Sequence, residues 1–177
     1  MKTLVASRCI LEPLVVAHAA AMFRVLSDSA IYEFENEPPS SIESLAQRYE
    51  LLQRRGSPDG TEKWLNWVIR LPGGNLAGYV QATVLGSGAS YIAYVLNSRH
   101  WRQGIGRSAV EALLEELRTA YGVHTFVAVL KAKNFRSEAL LRSMGFAVGT
   151  AEQYLLYRDG PDELVMVKKV AASENAA

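Results

Sequence analysis

The chain is short of cysteine, histidine, unbroken apolar runs and excess charge of either sign, and each shortage excludes something. One cysteine, Cys9, rules out an internal disulfide and points to a reducing compartment. Three scattered histidines and that cysteine show no ligand spacing, so no metal is expected. Lys2 and Arg8 precede an apolar stretch reaching Ala21, but Glu12, Pro13 and His18 interrupt it. No run is long enough to cross a bilayer, so the expectation is a cytoplasmic protein with no membrane partner. Nineteen basic against eighteen acidic side chains leave a net charge of +1, and nothing in that balance draws the chain to nucleic acid. No repeat, long linker or second core is visible in the 177 residues. The expectation is one domain over residues 1–170 and a frayed tail over residues 171–177.

What is present reads as an α/β chain. Leu4 to Leu11 is expected as a first strand, with a helix from Pro13 to about Ser27. Ser40 or Ser41 caps a second helix through Ile42, Leu45, Tyr49 and Leu52. Trp64 to Leu71, Leu76 to Leu85 and Tyr91 to Leu96 form three strands joined by short glycine-bearing turns, hence an antiparallel meander. A third helix follows Gly104 and stops at Gly122, and Val123 to Leu130 returns as a strand, a parallel crossover. Asn134 caps a fourth helix closed by Gly145, and two last strands are expected at Gln153 to Arg158 and Leu164 to Val170.

The most informative segment is SRHWRQGIGRSA, from Ser98 to Ala109. A strand, a glycine turn and a helix in that order build an anion site, because the first N–H groups of a helix have no intrahelical partner and carry the positive end of its dipole. Gly104 and Gly106 let that backbone touch a phosphate, and Arg99, Arg102 and Arg107 add charge with no acid between them. The absence of a Lys-Ser or Lys-Thr pair after the glycines argues against a nucleoside triphosphate.

A second segment narrows the reading: Asn134-x-x-Ser137, Leu140, then Gly145-Phe146. With Trp101-Arg102-Gln103-Gly104-Ile105-Gly106, and with the order of elements, it resembles the GNAT superfamily of acyl-CoA-dependent N-acetyltransferases, in particular the Rim-type branch that acts on ribosomal-protein N-termini. The resemblance implies a mixed, mostly antiparallel sheet of about seven strands, splayed between the fourth and fifth, with about four helices. It implies acetyl-CoA as acyl donor, its pyrophosphate held by Arg102, Gln103, Gly104, Ile105, Gly106 and Arg107, and its pantetheine by Val95, Asn97 and Asn134. It implies direct transfer to a primary amine, either a protein N-terminus or a small molecule, with strand N–H groups stabilising the oxyanion; a homodimer is left open. A non-catalytic acyl-CoA-binding module of the same fold is the alternative.

The catalytic groups are harder to place. Ser137 stands where many relatives put a proton donor for the leaving thiolate, although a serine in a first helical turn needs no catalytic reason. Leu141 occupies the position of the tyrosine that many relatives use, and Val129 that of a glutamate that some relatives use as base. An alkyl ammonium with pKa near ~10.4 must still lose its proton. Candidates for that task are Glu33 and Glu35, with Glu37 beside them, in a segment without any basic residue, and His100 next to the glycine turn. Cys9, among apolar neighbours, is expected to pack rather than react.

Overall fold

The computed structural model describes residues 1–171 apart from 35 and 159. The elements are β1 (Leu4–Val5), β2 (Ile10–Pro13), α1 (Ala19–Leu26), α2 (Ile42–Leu52), β3 (Glu62–Arg70), β4 (Leu76–Leu85), β5 (Ala89–Leu96), α3 (Ile105–Tyr121), β6 (Thr125–Lys131), α4 (Phe135–Ser143), β7 (Ala147–Val148), α5 (Ala151–Tyr157) and β8 (Glu163–Lys169). The eight strands form one sheet in the order β1-β2-β3-β4-β5-β6-β8-β7, antiparallel throughout except for the parallel pair β5–β6.

The mixed α/β architecture, the meander and the crossover agree with the sequence. Three expectations change. Leu4 to Leu11 is a hairpin rather than one strand, because the chain reverses between Ala6 and Cys9, whose N–H and C=O meet at 2.9 Å. Pro13 ends β2, paired with Trp67, and the helix begins only after a 3-10 turn over Val16–His18. The segment at Gln153 is helix α5, not strand: Thr150 and Gln153 form a reciprocal capping box, with bonds of 2.9 and 3.3 Å. Among the described residues there are eight strands and five α-helices, where about seven and about four were expected. Of the tail, residues 172–177 lie outside the described residues.

Two cores lie on opposite faces of the sheet. On one, α3 packs Ala109, Val110, Leu113 and Leu117 against Trp67, Val80, Phe126 and Met166, all at most 1% exposed. On the other, α1 and α2 pack Met22, Val25, Leu26, Leu45 and Tyr49 over Leu14 and Val68. The chain thus stands as helix layers on both faces of a sheet.

The sheet is not uniformly closed. β4 and β5 pair over their whole length, from Val84–Ser90 to Gly78–Leu96. β5 and β6 pair only through Ala89, Ser90 and Tyr91 with Thr125, Phe126 and Val127. From Ile92 onward the outer edge of β5 is free of a strand partner, and the splay opens between the two faces.

Candidate functional site

A cavity of about 960 Å³ occupies the splay. Its walls come from both sheet faces: Ile92, Tyr94 and Leu96 belong to the α3 side, and Tyr79 and Val95 to the α1–α2 side. The glycine turn contributes His100, Trp101, Arg102, Gly104, Gly106 and Arg107, and the start of α4 contributes Asn134, Arg136 and Ser137. Residues 98–107 and 134–137, distant in sequence, are thereby brought onto one cavity.

The turn is built as an anion cradle. Gly104 takes φ +74° and Arg102 φ +58°, which turns the chain sharply into α3. The first helical bond is Ser108 N–H to Gly104 C=O at 3.0 Å, so the N–H groups of Ile105, Gly106 and Arg107 start the helix with no carbonyl behind them. A Cβ on Gly106 would meet nothing closer than Leu140 and Leu96, at 3.8 and 3.9 Å. Internal packing therefore does not demand glycine there, whereas a phosphate passing close to the backbone does. Ile105 itself is buried in the α3 core and contributes only main chain. Arg107 shares its guanidinium with Glu111 at 2.8 Å. Arg8, from the β1–β2 turn, adds a cation the sequence did not suggest: its Nε would lie 3.0 Å from a Cβ on Gly104.

Along β5 the main-chain groups divide between β4 and the opening. Asn97 N–H is bonded to Ala77 C=O at 2.8 Å, and Val95 C=O leans so closely on β4 that a Cβ at Gly78 would lie 2.0 Å from it. Gly88 C=O, by contrast, accepts from His124 on the β6 side, and Leu96 C=O accepts from Trp101 Nε1 at 2.8 Å. Main-chain groups alternate sides along a strand. The odd positions, Val95 and Asn97 among them, thus spend theirs on β4, and Ile92, Tyr94 and Leu96 turn theirs to the opening. Asn97 is engaged throughout: its Nδ2 donates to Val25 C=O, its Oδ1 accepts from Arg99 N–H, and its carbonyl accepts from His100 N–H. It holds the turn in place rather than facing the cavity.

Asn134 lines the cavity and caps α4, its Oδ1 accepting from Ser137 N–H at 3.1 Å. Tyr94 reaches across the splay, its hydroxyl donating to Ser137 C=O at 3.3 Å. Burial pushes that phenol up to about 12, and the hydrogen bond to Ser137 offsets part of the rise. The site thus holds a tyrosine hydroxyl beside Ser137, supplied by β5 and not by the buried Leu141.

The acidic segment meets the start of α4. Glu33 is ion-paired with Arg136, whose guanidinium also lies over the rings of Trp101, Phe34 and Phe135 at 4.6, 5.0 and 5.4 Å. The ion pair helps tie the segment to α4 beside the glycine turn. Glu35 lies outside the described residues. Glu37 lines the cavity. Asp28 anchors the same region from below, accepting from Ser98 N–H at 2.7 Å and Ala30 N–H at 3.1 Å. Burial pushes its carboxyl up, but those bonds and Arg99 outweigh it and hold the group below the usual carboxylate range.

The remaining histidines and the cysteine are structural. His18 Nδ1 accepts from Val15 N–H, and His124 Nδ1 meets Thr125 Oγ1. Cys9 is buried, which pushes its thiol up and away from the reactive thiolate. Among the described residues no group of three or more His, Cys, Asp or Glu is placed to hold a metal ion. Among them, too, no helix is long and apolar enough to cross a membrane.

Comparison with known proteins places this geometry. The acetyltransferase (GNAT) domain family matches residues 8–147. The [ribosomal protein bS18]-alanine N-acetyltransferase of Escherichia coli (strain K12) is 26% identical over 127 residues, covering 71% of this chain and 84% of that protein. Among solved structures, the ribosomal L7/L12 alpha-N-protein acetyltransferase RimL in complex with coenzyme A superposes with a TM-score of 0.79 at 19% identity, over 96% of this chain and 98% of the other. Mycobacterium smegmatis RimJ in complex with CoA-disulfide gives 0.77 at 21% identity, over 95% and 87%. At these identities the two structures testify to the fold.

Proposed function

Since the chain belongs to the GNAT acetyltransferase family, whose members move an acetyl group from acetyl-CoA to an amine, we propose the following roles for its residues in that reaction. The observation that carries the assignment is the juxtaposition of unpaired helix-start N–H groups with the free edge of β5, on one cavity that passes between the sheet faces.

The N–H groups from Gln103 to Arg107 hold the pyrophosphate, with the guanidinium of Arg102 and that of Arg8 beside them. The open main-chain groups of Tyr94 and the N–H of Leu96 pair with the pantetheine amides, as an added strand would. The N–H at this edge also stabilises negative charge developing on the thioester oxygen, in a wall of low polarity formed by Ile92, Ala128 and Leu130. Asn134 orients α4 by its cap, so that the Ser137 hydroxyl can pass a proton to the leaving thiolate.

The acceptor is a primary amine, of a protein N-terminus or a small molecule, entering from the α1–α2 face. Its ammonium proton leaves through Glu37 or His100, both of which line the cavity. The relatives that act on ribosomal-protein alanine weigh toward a protein N-terminus.

The test is a thiol-release assay with acetyl-CoA across N-terminal peptides and small amines, paired with mass spectrometry of the acceptor. The expected result is free CoA in step with an acceptor heavier by one acetyl group. Binding of acetyl-CoA without thiol release for any amine would overturn the reading in favour of a non-catalytic module.

A further inference from the structure

Between the splay and α2 the cavity has a floor of side-chain amides without a hydrogen-bond partner among the described residues. Asn66 on β3 is 6% exposed, yet its carboxamide has no hydrogen-bond partner among the described residues, and it lines the cavity. Gln81 on β4 lies directly opposite in register, lines the same cavity and is equally unpartnered among the described residues. Ala93 on β5 lies opposite Gln81, so the three positions form one row across the sheet that ends at the reacting edge. Over this row Tyr49 closes the wall from α2, itself 3% exposed and with a hydroxyl that finds no partner among the described residues.

Buried polar groups are normally paired, because leaving a donor or acceptor dry is costly. The Tyr49 hydroxyl is such a dry group, while the carboxamides of Asn66 and of the half-buried Gln81 open onto the cavity, and in register on one floor they form a recognition surface. Each offers both a donor and an acceptor, the complement of a peptide group. Their spacing fits a chain molecule: neighbouring strands lie about 4.8 Å apart, so Gln81 and Asn66 stand roughly one and two strand spacings from β5. An extended peptide advances about 3.5 Å per residue. With its amino nitrogen at β5, the first peptide group comes over Gln81 and the groups two to three residues on come over Asn66.

We propose that Asn66 and Gln81 read the main chain of a peptide acceptor laid across β4 and β3, which makes the substrate an N-terminal peptide of at least three residues rather than a simple amine. This rests on the acetyl-transfer reading above and sharpens its acceptor.

The experiment measures kcat/KM for an alkylamine, a dipeptide amide and a tetrapeptide amide sharing the same first residue, with the wild type, Gln81→Met and Asn66→Leu. Wild type is expected to rise about tenfold at each step of length, the size of one hydrogen bond to a buried group. Gln81→Met should lower both peptide values about tenfold, and Asn66→Leu the tetrapeptide value alone, mainly through KM. The acetyl-CoA-induced rise in Tm should persist in both variants, and neither should melt lower, since each removes an unpaired amide. Equal kcat/KM for alkylamine, dipeptide and tetrapeptide in the wild type would overturn the proposal even if neither variant folded. It would leave acetyl transfer itself standing, whereas no thiol release with any acceptor would remove both.

Discussion

At the residue scale, Ser137 and Asp28 show how one side chain can serve architecture and chemistry differently. Ser137 sits one turn into α4 whether or not it donates a proton, since its N–H completes the Asn134 cap. Its hydroxyl is the part catalysis would use, so Ser137→Ala is expected to lower kcat about 100-fold while the CoA dissociation constant stays unchanged. Stopped-flow thiol release beside a calorimetric titration of CoA separates the two. Asp28 lies off the cavity wall and fastens the acidic segment to the end of β5 through Ser98. Its carboxyl titrates lower in the folded chain than in the unfolded one. The stabilisation is therefore complete above the ordinary carboxylate pKa and fades as pH falls through the depressed folded value. Asp28→Asn should cost on the order of 1 kcal/mol at neutral pH, the difference between a charged and a neutral acceptor. The gap in Tm between variant and wild type should close below about pH 4; a gap unchanged at pH 3 would contradict the charge argument.

At the element scale, β5 is the decisive strand, and its neighbour β4 is shaped to fit it. Gly78 has ordinary φ, so its need for glycine is steric: a Cβ there would meet Val95 C=O at 2.0 Å and Leu96 Cα at 2.9 Å. Gly78→Ala should push the end of β5 off β4, costing about 1–3 kcal/mol as overpacking does. It should also weaken CoA binding, because the displaced residues are those whose edge faces the splay. Chemical denaturation and CoA titration of the variant check both; full retention of CoA affinity would show that the β5 edge is not used. Helix α5 teaches a different point about elements. Tyr154, Leu155, Leu156 and Tyr157 look strand-like by composition, but Leu155 and Leu156 are 87% and 67% exposed, and Tyr154 and Tyr157 pack near Tyr91 and Val165 one helical turn apart. The Thr150-x-x-Gln153 box is the local signal for this helix.

At the scale of the whole molecule, the sheet consists of two antiparallel blocks, β1 to β5 and β6 to β8, joined along the sheet by three residues of β5. A ligand that pairs with the open edge of β5 and also touches α4 and the turn before α3 bridges those blocks. Binding to the native state alone stabilises it by mass action, about 2.7 kcal/mol at a ligand concentration 100 times the dissociation constant. Acetyl-CoA is therefore expected to raise Tm and to slow amide hydrogen exchange most around residues 90–96 and 125–130, where the blocks meet. Hydrogen exchange by mass spectrometry with and without acetyl-CoA reads this directly. Protection confined to α1 and α2 would place the ligand elsewhere.

Local sequence determined the parts whose physics is local. The glycine turn, the Asn134 cap, the meander and the termination of α3 at Gly122 follow from backbone freedom, side-chain capping and two-residue or helical periodicity, all readable within a dozen residues. Tertiary structure alone decided which strand groups face the splay, that Glu33 is spent on Arg136, that Tyr94 meets α4, and that Asn66 and Gln81 share one floor. Those facts depend on register and on which distant segments are packed together. A one-residue change of parity, invisible in composition, moves a main-chain N–H from the sheet interior to the cavity.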